Sequence, residues 1–195
     1  MSLVARVKAI LLTPRTEWPV IEAEPATTGS LYAGYIIPLA AIPAVAGFIG
    51  WSLVGGSVLG VSFRVPIGTG LTGAVVRYVL SLVATYVLAL IIDALAPTFG
   101  GTKNSIQALK VAAYSSTAAW VAGIFMLLPS LGILGLVGLY SLYLLYLGLP
   151  VLMKAPQEKA MGYTVVVILC AIVLFVVVGY VAAGTMPRPT LTPTP

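Results

Sequence analysis

The sequence predicts an all-α integral membrane protein: a bundle of about five transmembrane helices preceded by an N-terminal amphipathic helix at the membrane interface. Three observations carry that prediction. Of 195 residues, 60% are hydrophobic and only 8% charged, whereas a soluble domain carries roughly 25% charged residues to keep itself hydrated. The mean hydropathy is +1.10, so lipid rather than water must cover most of the surface. The apolar residues also fall into five stretches, each long enough to cross a hydrocarbon core about 30 Å thick.

Taken in order, residues 1–28 form an N-terminal cytosolic segment. Leu3, Val4, Val7, Ile10 and Leu11 share one helical sector flanked by Arg6 and Lys8, the pattern of a helix lying in the headgroup plane. The few apolar residues before Pro14 are too short for a cleavable signal peptide. Trp18-Pro19 suits the interface, and Glu17, Glu22 and Glu24 make the linker acidic.

Residues 29–184 form the transmembrane domain. Span one is expected over 31–54, kinked or broken by Pro38 and Pro43, since proline supplies no backbone donor. A glycine-rich loop over 55–70 leads to span two (71–95), and a loop over 96–104 leads to span three (105–128). Pro129-Ser130 makes a tight turn into span four (131–149). The loop over 150–162 precedes span five (163–184), whose valine-rich sequence has no polar face and reads as peripheral. Residues 185–195 read as a disordered Pro/Thr-rich tail.

Lys and Arg set the orientation. Arg6, Lys8, Arg15, Lys103, Lys110, Lys154 and Lys159 fall on one side, and Arg64, Arg77 and Arg188 on the other. Seven against three places the N-terminus in the cytosol and, with five spans, the C-terminus outside. A net charge of +5 scattered this way is a topology signal and no nucleic-acid footprint.

Catalytic chemistry finds little support. Histidine is absent, the lone Cys170 has no histidine to activate it, and Asp93 is the only aspartate. An intramembrane aspartyl protease would need two. No cofactor or metal is expected from such a set.

Asp93 is the most informative ionisable residue, because an intramembrane carboxylate is costly unless paired or functional. Lys110 lies at similar depth across a short loop, so a polar site of Asp93, Lys110, Asn104 and Gln107 is expected, with an Asp93–Lys110 ion pair or a wet helix end as its simplest forms. Arg77 faces no acidic residue on its side and is expected to snorkel toward a lipid phosphate. Gly132, Gly135 and Gly138, three apart, read as close helix packing. Tyr140, Tyr143 and Tyr146 read as bundle filling.

The segments D-A-L-A-P-T-F-G-G (93–101) and A-L-K-V-A-A-Y-S (108–115) resemble the Yip domain family, named for Ypt/Rab-interacting proteins. So do P-x-x-E-W-x-x-I-x-x-E (14–24) and Y-L-G-L-P-x-L-M-K (146–154). The resemblance runs from Val7 to Gly184 and is of the prokaryotic type, without the long N-terminal region of eukaryotic members. It implies five spans and a cytosolic N-terminus. Eukaryotic members act in vesicle traffic, bind Rab GTPases and self-associate; fold and self-association are what carry over.

The functional expectation is a non-enzymatic scaffold or membrane-organising, trafficking-type factor of a bacterial inner membrane. The bilayer, a second copy of the chain, and an unidentified membrane or cytosolic protein are its expected partners. Glu17, Trp18, Glu22, Pro97, Gly100 and Gly101 would form its cytosolic contact surface. The alternative is a small transporter or channel for an ion or small solute, working through Asp93.

Overall fold

A computed structural model describes residues 1–58 and 61–185. The disordered tail expected over 185–195, with Arg188, lies outside the described residues apart from Thr185.

Five helical stretches are long and apolar enough to cross a membrane: Thr28–Val54, Ile67–Phe99, Ser105–Leu127, Pro129–Leu152 and Gln157–Gly184. Each coincides with one expected span, and they are called spans one to five below. Span three is central: 67% of its apolar stretch is buried inside the bundle, against 11% for span five. Composition explains the difference. Ala108, Ala112, Ala113, Ala118 and Ala122 let neighbours approach span three closely, whereas Val165, Val173, Val176 and Val177 of span five point outward. The core also contains Ile92, Leu109, Val111, Leu144, Leu149 and Tyr163.

Span one is one continuous helical run over Thr28–Val54 and is not broken. It absorbs its prolines by changing pitch, with π turns at Tyr32–Ile36 and Ile49–Val54 flanking the α segment Ile37–Phe48. The amide of Ile37 donates to Tyr32 five residues back, just before Pro38. Pro43 packs against span three at Gly123, where a Cβ would stand 2.6 Å from the Pro43 Cβ. The glycine-rich loop contains a short antiparallel hairpin, β1 (Gly56–Val58) and β2 (Val61–Phe63). Span two then begins at Ile67, a full turn earlier than hydropathy suggested.

The first half of span four is a 3₁₀ helix, Pro129–Leu139. Runs of that length are uncommon because side chains three apart eclipse one another. Gly132, Gly135 and Gly138 remove the side chains from one such row. Only Gly138 serves close packing, with Ala119 Cα 3.2 Å from the position of an added Cβ; around Gly132 and Gly135 that space is open.

The N-terminal segment departs furthest from expectation. Helices α1 (Leu3–Leu12) and α2 (Pro14–Ala23) are joined at Thr13. α1 is not clearly amphipathic: Arg6 and Ile10 are buried, while Val4 and Leu12 are exposed beside Lys8. Neither helix stands apart from the bundle. The Tyr140 hydroxyl of span four donates to the Leu11 carbonyl at 3.2 Å. Tyr140 lies twelve residues before Leu152, so the α1–α2 turn descends roughly 18 Å beside span four at 1.5 Å per residue.

Candidate functional site

The polar residues of the sequence converge where α2 ends against span three; this end of the bundle is the polar end, opposite the β-hairpin end. A helix leaves its last four carbonyls without intrahelical donors. α2 ends at Ala23, and its orphan carbonyls face span three. Lys110, 2% exposed, donates from Nζ to the carbonyls of Ile21 at 2.7 Å, Glu22 at 3.3 Å and Glu24 at 2.6 Å. Gln107 Nε2 donates to the Glu22 carbonyl at 3.0 Å, leaving its Oε1 buried without a partner. A buried ammonium at the negative end of a helix dipole is held by both hydrogen bonding and charge.

Arg6 completes this cluster from α1. It forms ion pairs with Glu17 and Glu24, and its guanidinium stands 6.0 Å over the Tyr114 ring. Burial alone would lower the Arg6 pKa, but the hydrogen bond and charge of Glu24, with the charge of Glu17, hold it above its ordinary value. Tyr114 lies 4.4 Å from Tyr35, centroid to centroid. The Tyr35 hydroxyl meets Thr117 Oγ1 at 2.7 Å. The cluster thus links α1, α2, span one and span three.

Asp93 and Lys110 do not pair. Asp93 Oδ1 accepts the backbone N–H of Asn104 at 2.7 Å, and Asn104 Oδ1 caps span three by accepting from the Gln107 amide at 3.1 Å. Both carbonyl-bound Lys110 and loop-bound Asp93 therefore serve the same end of the bundle through different partners. The Lys110 ammonium is taken up by the α2 carbonyls instead.

The loop after span two is fixed at several points. A 3₁₀ turn, Ala96–Phe99, ends at Gly100 with φ +74°, a left-handed conformation that favours glycine. Gly101 lies so close to span four that a Cβ would stand 2.6 Å from the Met153 carbonyl oxygen, and the Thr102 amide donates to that same oxygen at 2.8 Å. Phe99 stacks on Tyr163 at 4.9 Å, whose hydroxyl donates to the Ile92 carbonyl.

The expected contact surface divides. Glu17 and Trp18 are buried, Trp18 completely, so neither is available to a partner. Trp18 sits edge-on to Tyr114 and over Gly148, where a Cβ would come within 2.7 Å of the indole. Pro97 and Gly100 are exposed, and Glu22 and Gly101 half-buried. Glu22 also pairs with Lys154 at 2.8 Å. Arg6, Tyr35 and Tyr114 join this cluster although the sequence did not mark them as site residues; for Arg6 the seven-residue spacing of Glu17 and Glu24 was the signal.

Arg77 lies far from this cluster, exposed on span two, where it lines cavities of about 360 Å³ toward span one and about 260 Å³ toward span five. Neither cavity reaches Asp93. Among the described residues no three His, Cys, Asp or Glu side chains gather where a metal could bind.

In comparison with known families, residues 8–178 match the family described as the Yip1 domain. No curated protein and no solved structure matches the chain.

Proposed function

The chain belongs to the Yip1 domain family, and from that premise we propose that this integral membrane protein is a non-enzymatic scaffold or membrane-organising factor of the trafficking type. One observation supports the reading above others. At the polar end, Arg6, Glu17, Glu24, Asp93 and Lys110 are engaged in holding the N-terminal helix pair and the following loops to the bundle. What remains outward at that end is a fixed loop surface of Pro97, Thr98, Gly100, Lys103 and Asn104, beside Glu22. A rigid exposed loop with pinned backbone suits recognition by a second protein, because little ordering entropy is lost on contact.

We place this surface on the cytosolic side of a bacterial inner membrane, on the excess of Lys and Arg there, and expect a second copy of the chain or a membrane or cytosolic protein as partner. The transporter alternative rests on Asp93, whose carboxylate already accepts the Asn104 amide. A photo-crosslinking residue at Thr98, compared with one at exposed Leu131 of span four, tests the scaffold reading in native membranes. A discrete protein adduct at Thr98 alone is expected. Identical lipid-only labelling at both positions would contradict it.

A further inference from the structure

Among the described residues, Arg77 has no carboxylate within its half of the molecule. The five acidic residues are Glu17, Glu22, Glu24, Asp93 and Glu158. Three hold the N-terminal helix pair and its neighbours, Asp93 lies sixteen residues further along span two, and Glu158 opens span five at the polar end. Span two places Arg77 ten residues after Ile67, roughly 15 Å along the axis. A cation on an apolar span needs an anion or a route to the surface.

The adjacent cavity supplies a shape for that anion. It lies between spans one and two, measures about 360 Å³, and is lined by Pro43, Gly47, Phe48 and Met126 together with Ser52 and Arg77. That volume falls within the roughly 300–1,000 Å³ of small-molecule sites. Ser52 is 6% exposed and its hydroxyl has no hydrogen-bond partner, a costly arrangement for a buried polar group. Ser52 stands beside Gly70, seven residues nearer the hairpin end than Arg77. Helical side chains lean toward the helix N-terminus, so Arg77 leans toward the level of Ser52.

We propose that this cavity binds one phosphate-headed amphiphile, a phospholipid of the surrounding leaflet. Arg77 and the Ser52 hydroxyl hold a phosphate oxygen each, and one acyl chain runs inward along Pro43, Gly47 and Met126. The phosphate satisfies both orphan groups at once, the cation by charge and the hydroxyl by accepting its proton in a hydrogen bond. The apolar wall excludes a free inorganic anion, which would lose its hydration without an equal return.

Native mass spectrometry of the full chain in mild detergent tests this. The probes are phosphatidylglycerol, diacylglycerol with the same chains, and sodium phosphate. The wild type is expected to retain one phosphatidylglycerol and to lose diacylglycerol at the same concentration. Arg77→Gln should weaken retention at least tenfold, and Arg77→Lys by less than threefold. Gly47→Leu, where an added Cβ meets nothing nearer than Met126 Sδ at 4.0 Å, should fill the cavity and abolish retention with the arginine intact. Equal retention of both lipids, wild-type retention by Arg77→Gln or Gly47→Leu, or displacement of the lipid by equimolar phosphate would each overturn the proposal. The two-lipid comparison on the wild-type chain decides even where a variant fails to fold.

Discussion

Lys110 supplies from span three the donors that the C-terminal turn of α2 lacks, and Arg6 neutralises Glu17 from the other side. The two residues predict different failures. Lys110→Met keeps the stem but leaves the carbonyls of Ile21 and Glu24 without that donor, at a cost of about 3 kcal/mol. Thermal melting should register the loss, and trypsin should cut sooner at exposed Arg15. Arg6→Met leaves the buried Glu17 carboxylate uncompensated, for about 3–5 kcal/mol. Adding Glu17→Gln should restore part of it, a coupling that a double-mutant cycle measures. Sequence reading found Lys110, Asn104, Gln107 and Asp93 because charged or amide groups inside apolar spans are conspicuous. It missed what they bind. Lys110 is bonded to backbone carbonyls, and no residue type marks a carbonyl as unpaired. Arg6 was hidden for a related reason: it sits beside an apolar sector, where a solvated arginine and a buried one look alike.

At the scale of elements, the glycines separate into those that admit a neighbour and those that do not. Gly148→Ala puts a methyl into the Trp18 indole, and Gly123→Ala puts one into the Pro43 ring. Both should lower the melting temperature by an amount corresponding to about 1–3 kcal/mol. Gly132→Ala and Gly135→Ala meet open space and should leave it within about 0.5 kcal/mol of wild type, although Gly132, Gly135 and Gly138 look equivalent in sequence. The five spans themselves were legible to within a turn or so at nearly every end, since a bilayer demands long apolar helices and little else forms there. Pitch was not legible. The 3₁₀ half of span four and the π turns of span one depend on neighbours that hydropathy does not weigh. The helix pair α1–α2 misled for the same reason: Arg6 on its polar flank is satisfied inside the bundle instead of by headgroups.

For the whole molecule, the five spans of this Yip1-family chain put the β-hairpin and the Asp93–Asn104 loop at opposite ends. In a Cys170→Ser background, cysteines at Pro66 and Thr102 should react with an impermeant maleimide from opposite faces of a vesicle, Thr102 from the cytosolic one. The larger claim is that the charges at the polar end are structural and carry nothing across the membrane. Purified protein in liposomes, assayed for flux of protons, common ions and a metabolite panel, tests it most directly, with wild type beside Asp93→Asn. The substituted amide keeps an oxygen that can accept from Asn104, so the variant should remain folded. The account predicts no flux from either protein. Flux through the wild type that disappears in a folded Asp93→Asn variant would contradict it and make Asp93 a transport residue.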